Sequence, residues 1–350
     1  MRKVLFTVLI ACCLVVVGNG LANAYVQGVC SNCHTMHNSQ NGSPMAYDAS
    51  GNPLASPQGH LTRSTCIGCH NGTLQSKVTG VTPPNIFGAT TTSMTAGGTF
   101  NSAVATADVK RHVPTDVVSG GTTAAYATNG IPGYTGTFGL TVANFTCAGT
   151  TGCHGNHTAG LTTSDAGIRG FHHNKANSAY RYLTLHSGNT AVTGIGSSDW
   201  EATLIANGGA SGDHNVYSSS STGISKLCAD CHGGFHGSST ADTTVSNGSA
   251  WIRHPVDLNI STNLTGGLSS IAADFINTPV GFASLTGRTT TESAASVTSV
   301  ITGGNAQVVC VSCHRAHGTA NDYILRFAYS GMTAGGGGTT GCLNCHVAQR

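Results

Sequence analysis

The sequence predicts a mostly irregular chain with short helices and few strands, organised around attached groups rather than a large apolar core of its own. Three observations predict it. Charged residues fill only 8% of the 350 positions, against about 25% in ordinary globular domains. Glycine takes 48 of them, roughly double its usual share. Twelve of the fourteen cysteines fall in six pairs, each followed at once by histidine.

Residues 1–24 read as a secretory signal peptide. Met1-Arg2-Lys3 is a basic head, Val4 to Val17 runs apolar with only Thr7 interrupting, and Ala22-Asn23-Ala24 closes it with the small residues of a cleavage site. Leu9-Ile10-Ala11-Cys12 offers an alternative, lipoprotein-type site. Either reading sends the protein out of the cytoplasm, and no later stretch is long and apolar enough to span a membrane. Residues 25–350 are then a single domain. With Arg2 and Lys3 removed, the 15 basic residues fall to 13, equal to the 13 acidic ones. No basic surface argues for nucleic acid.

The cysteine pairs of the mature segment are Cys30/Cys33, Cys66/Cys69, Cys147/Cys153, Cys228/Cys231, Cys310/Cys313 and Cys342/Cys345. Six disulfides would leave unexplained the histidine after each pair: His34, His70, His154, His232, His314 and His346. Histidine fills 17 of 350 positions, so six coincidences would arise by chance with a probability on the order of 10⁻⁸. Five pairs have the C-x-x-C-H form that attaches c-type haem, in which the sulfurs add to the haem vinyl groups and the histidine is the proximal iron ligand. The third pair, with five residues between its cysteines, either holds a haem across a longer loop or is a disulfide beside an unrelated His154. The expectation is six covalent haems c, whose flat apolar rings supply the burial that this polar chain lacks. The haem-free chain is expected to be unfolded.

A second strong ligand closes an iron to substrates and leaves electron transfer. Eleven histidines remain for that place, so bis-His coordination is expected throughout. Four of them trail a motif closely: His37, His157, His236 and His317. Three or four residues past the proximal histidine, such a side chain reaches a neighbouring haem more easily than the far face of its own; the alternative is a surface histidine or a propionate partner. His112 and His254 each follow arginine and precede an acid, Asp116 or Asp257, that would orient the imidazole. His60, the pair His172-His173, His186 and His214 complete the pool. The chosen distal set is His37, His112, His173, His236, His254 and His317, with His157 and His214 as rivals for one place. Short helices are expected just after several motifs and around Asp199 to Ala206, a short strand from Val297 to Ile301, and loops from Thr90 to Thr99 and Gly335 to Gly341.

The opening Cys30-Ser-Asn-Cys33-His34-Thr-Met-His37-Asn-Ser-Gln resembles the extracellular multihaem cytochromes of metal-reducing bacteria, above all the six-haem OmcS-type filaments. So do Cys228 to His236 with Arg253-His254-Pro255, the run Cys310-Val-Ser-Cys313-His314-Arg-Ala-His317, and the last motif. The wide third site, and the segment from Arg169 to Asn215, are more similar to other large secreted multihaem cytochromes of the same bacteria. The resemblance implies a multihaem cytochrome wrapped around a stacked haem chain, with His37 ligating a haem of the adjacent subunit. A ligand donated in trans makes a heterologous, non-closing contact and hence a linear homopolymer.

The leading expectation is therefore extracellular electron transfer as a filament subunit, passing electrons to redox partner proteins, a mineral or an electrode. A monomeric shuttle at the outer surface or in the periplasm is the alternative. An enzyme is not expected, because a multihaem reductase needs an open iron, often beside C-x-x-C-K, and that motif is absent.

Overall fold

The computed structural model describes residues 30–46, 53–59, 61–63, 65–71, 83–88, 94–101, 108–117, 131–133, 139–141, 143–172, 179–209, 212–233, 256, 259–260, 273–302, 305–333, 335–338 and 340–346. The signal segment with Cys12, and His60, His173, His236 and His254, lie outside them.

Regular structure is short, as the glycine-rich, charge-poor sequence predicts. The helices are α1 (Ile67–His70), α2 (Ser164–Gly167), α3 (Ala202–Ala206), α4 (Ile224–Cys231), α5 (Ala294–Thr302), α6 (Cys310–Cys313) and α7 (Cys342–Cys345). Among the described residues none is long and apolar enough to cross a membrane. Helix α3 falls where expected. The motif helices do not: α1, α4, α6 and α7 run through the cysteines and stop at the histidine instead of starting after it. The strand expected from Val297 to Ile301 is also corrected, since those residues belong to α5. Val297 and Ile301 are each 2% exposed while Ser299 between them is exposed, a burial pattern that fits one helical face and not the alternation of a strand, which would bury all three.

The strands are β1 (Ser39–Gln40), β2 (Ser43–Pro44), β3 (Gly194–Ile195), β4 (Val216–Ser218), β5 (Gly281–Phe282) and β6 (Ala306–Gln307). Strands β1 and β2 form a hairpin across Asn41 and Gly42, both at positive φ. The other four make a sheet in the order β3-β4-β5-β6, parallel only between β4 and β5. Alternate residues of β4 face opposite sides. Tyr217 joins one apolar cluster with Tyr180, Leu183, Val192, Leu227 and Val309, against which Cys153 packs. Val216 joins the other with Phe282, Val297, Ile301 and Ala306, against which Cys345 packs. A third cluster joins Ile67, Ile86 and Phe100. Among the described residues the polypeptide thus builds small cores of its own, more than its composition led us to expect, and motif cysteines pack on the first two.

Candidate haem-binding site

All six motifs close in the same way. The histidine N–H donates to the carbonyl of the first cysteine in each: His34 to Cys30 at 2.8 Å, His70 to Cys66 at 3.0 Å, His154 to Cys147 at 3.0 Å, His232 to Cys228 at 2.8 Å, His314 to Cys310 at 3.1 Å and His346 to Cys342 at 2.8 Å. The wide third motif keeps this closure by extruding its extra residues. Gly149, at φ +101, begins the bulge, and Gly152 N–H donates to its carbonyl at 3.0 Å. Asp116 Oδ2 holds the start of the loop, accepting from Cys147 N at 2.9 Å and Ser164 Oγ at 2.8 Å. Asp116 was expected to orient the His112 imidazole; its carboxylate is committed to the third motif instead.

Among the described residues none of the twelve motif cysteines is in a disulfide, and their near contacts run between motifs. The thiol of Cys33 meets that of Cys69, Cys66 meets Cys147, and Cys228 meets Cys310. Cys153 and Cys231 lie within each other's field, as do Cys313, Cys342 and Cys345. The six motifs therefore stand beside one another in sequence order, first to sixth. Serine helps to fix one such neighbour pair: Ser225 Oγ in α4 accepts from Cys310 N of α6 at 3.2 Å.

The histidines supply the fit test for haem. A metal-bound imidazole nitrogen stands about 2 Å from the metal and about 1 Å from its own ring centre, so two imidazoles on opposite sides of one iron have ring centres about 6 Å apart. Three proximal histidines meet a partner at that separation: His70 and His172 at 6.4 Å, His112 and His232 at 6.0 Å, His154 and His317 at 6.4 Å. The pairs join remote segments, and His317 faces His154 rather than His314 three residues before it.

The other ring nitrogen of most of these residues is tied to backbone. Nδ1–H donates to Pro84 O from His70 at 3.1 Å, to Arg181 O from His154 at 2.9 Å and to Pro132 O from His232 at 2.7 Å. It donates to Ala316 O from His112 at 2.6 Å and to Tyr323 O from His314 at 2.8 Å. This fixes the tautomer whose Nε2 lone pair is free for a metal. Nδ1 of His317 has no hydrogen-bond partner, and its ring stacks on Phe100 at 4.8 Å instead. Burial pushes His112 and His154 down to about 4 and His317 down to about 3, and lowers His70 and His314. Neutral imidazole is the form that ligates. The donor set thus fits c-type haem.

The remaining candidates are placed as follows. Both ring nitrogens of His157 face backbone carbonyls, Nδ1 toward Gly149 O and Nε2 toward Thr184 O, each at 2.7 Å; the neutral ring donates to one of the two, and both are turned to backbone rather than to an iron. It stacks on His186 at 4.0 Å, and His186 in turn meets Asp230 Oδ2 at 3.3 Å. His214 is 3% exposed and lies flat on Phe275, ring centres 3.8 Å apart. His37 is exposed, at φ +53, with Nδ1–H donating to Gln58 O at 2.9 Å. Sequence reasoning did not select His172; its only signal there was a second histidine in the pair. The carbonyls that orient the rings carry no sequence signal at all.

Residues 301–350 match the family described as the doubled CXXCH motif. No curated protein sequence matches the chain. Among solved structures, the OmcS nanowires of Geobacter sulfurreducens are similar at TM-score 0.51 and 19% identity, over 89% of this chain and 86% of that one. The outer membrane cytochrome S filament of the same organism is 19% identical over 88% of this chain and 85% of that one, at TM-score 0.42. Between them, the doubled CXXCH motif indicates covalently bound c-type haem, and the chain has the coil-rich fold of the OmcS multihaem cytochrome.

Proposed function

We propose that the protein carries six covalent haems and conducts electrons along them. The observation that carries this reading is the row of six identically closed motifs, three of whose histidines meet a second imidazole at the spacing of a bis-ligated iron. Haem supplies an iron that alternates between ferric and ferrous states. The chain's part is to hold each ring by two cysteines, to present neutral imidazoles on both faces, and to keep substrates off the metal. In this reading His172, His317 and His112 would hold irons together with His70, His154 and His232, the histidines whose rings they meet. His37, His236 and His254 remain candidates for the irons at His34, His314 and His346, with His173 and His214 as outside choices. Ligands on both faces favour a carrier over a reductase. Intact-protein mass tests the count: six haems per mature chain are expected, and five or fewer with every cysteine pair intact would refute it.

We further propose export through residues 1–24 and assembly into an extracellular homopolymer, in which His37 ligates a haem of the next copy. Its exposed ring, with Nδ1 already bonded and Nε2 unused, supports that role. Redox proteins, minerals or electrodes would be its partners. Electron microscopy of shed surface material is expected to show filaments, and His37→Ala only monomers. Monomers in both would favour the shuttle reading.

A further inference from the structure

Arg63, Arg315 and Arg326 are the buried arginines among the described residues, and the haem reading leaves the two beside the fifth motif without a role. Arg315, directly after the proximal His314, is 2% exposed, and Arg326 is 7% exposed. Their guanidiniums converge on one carbonyl, Ile276 O, with Arg315 Nη2 at 3.3 Å and Arg326 Nη1 at 2.7 Å. Arg326 Nε also donates to Val311 O at 2.5 Å and His314 O at 3.1 Å, so it lies against the Cys310–His314 turn itself. Arg315 Nη1 donates to Ala96 O at 2.8 Å.

Every one of these partners is a neutral carbonyl. Among the described residues, the ion pairs join Lys110 to Asp322, His186 to Asp230 and Arg288 to Glu292, and none includes Arg315 or Arg326. Two acids lie further off in their field, Glu201 and Asp274. Asp274 Oδ1 is engaged by the N–H groups of Ile276 and Asn277. Glu201 is 1% exposed and accepts from Asn215 N at 2.9 Å. The Arg326 guanidinium therefore touches the fifth motif, with that of Arg315 beside it on Ile276 O, and the His314 ring lies in the field of Arg326.

Two buried like charges held side by side are costly to keep, and a guanidinium does not shed its proton to escape that cost. Their field is weakly screened in the interior. Adding an electron to an iron lowers the net charge of the site by one, so an adjacent fixed cation favours the reduced form. We propose that Arg315 and Arg326 hold the iron site at His314 at a higher reduction potential than the sites whose imidazoles face only carbonyls, so that electrons collect at the fifth motif. This rests on the haem reading above and adds a direction to it.

Spectroelectrochemical titration of the holoprotein tests it. Haem content is first established by intact mass, and haem on Cys310 and Cys313 by peptide mapping. Arg326→Gln should move one haem's share of the absorbance change to lower potential by about 59 mV, a tenfold change in its reduced-to-oxidised ratio. Arg326→Lys, which keeps the charge, should leave the curve near the parent's. Glu201→Gln, which removes a buried negative charge, should move the same step upward. A merely structural staple would not produce shifts of opposite sign. Superimposable curves for Arg326→Gln and the parent, at full haem content, overturn the proposal. If Arg326→Gln loses haem, Glu201→Gln decides alone: an upward step supports the proposal and an unmoved one overturns it. Absence of haem on Cys310 and Cys313 would instead overturn the haem reading.

Discussion

Replacing His172 by alanine should open one iron and leave the rest closed. The ring of His172 stands 6.4 Å from that of His70, tilted by 44°, close to the separation of about 6 Å that two imidazoles on one metal require. Tyr182 holds it there edge-on, ring centres 5.2 Å apart. Removing one imidazole of six distal ligands should convert about one-sixth of the low-spin absorbance to five-coordinate haem. In the reduced protein, carbon monoxide should then bind at one equivalent per chain, against none in the parent. His173→Ala should bind none. If His173→Ala rather than His172→Ala opened the site, the assignment from ring geometry would be wrong. Carbon monoxide binding by the parent itself would refute closed coordination altogether.

Other perturbations separate the haem sites from the polypeptide cores. Ile301→Ala removes a 2% exposed side chain from the cluster around Phe282 and should cost roughly 2–4 kcal/mol in chemical denaturation, with an unchanged haem spectrum. His157→Ala takes a buried ring partner from Thr184 O, while Gly149 O keeps the Gly152 N–H, and should cost roughly 1–3 kcal/mol, again with all irons low-spin; a new high-spin band would restore His157 as a ligand. Gly98→Ala places a Cβ against Gly318 O at φ +95, beside the Gly97 carbonyl that receives His317 N–H at 2.6 Å. It should cost roughly 2–4 kcal/mol in thermal unfolding and loosen the iron at His154 first. Cys147→Ala with Cys153→Ala should lower the intact mass by one haem, and an unchanged mass would make that pair something other than an attachment site.

The motifs at which haem attachment is proposed were legible in the sequence because they are local. Two cysteines and a histidine within a few residues can serve one ring whatever the rest of the chain does, and the common closure from His34 to His346 shows that locality even across the five-residue loop after Cys147. The irregular fold was legible too, since a chain so rich in glycine and poor in charge has little to sustain long helices. The errors were of two kinds. Val297 to Ile301 has strand-like composition, yet Val297 and Ile301 are buried against Phe282 while Ser299 between them is exposed, and that packing overrode propensity. Asp116 sits close to His112 in sequence, but its carboxylate satisfies Cys147 N and Ser164 Oγ, a contact that exists only once residues 116, 147 and 164 have come together.

Which histidine faces which was beyond the sequence for the same reason. His172 reaches His70, His317 reaches His154 and His112 reaches His232 across about a hundred residues or more, and neighbours such as His172 and His173 are equivalent until the backbone points one of them inward. The carbonyls of Pro84, Pro132, Arg181 and Ala316 that fix the rings belong to no residue type and leave no pattern to read. The sequence by itself pointed to covalently bound c-type haem and to the six motifs at which its attachment is proposed. The tertiary structure alone decided the order of the motifs, the pairing of their imidazoles and the burial of Arg315 and Arg326 beside the fifth of them, because each depends on distance between remote segments rather than on spacing along the chain.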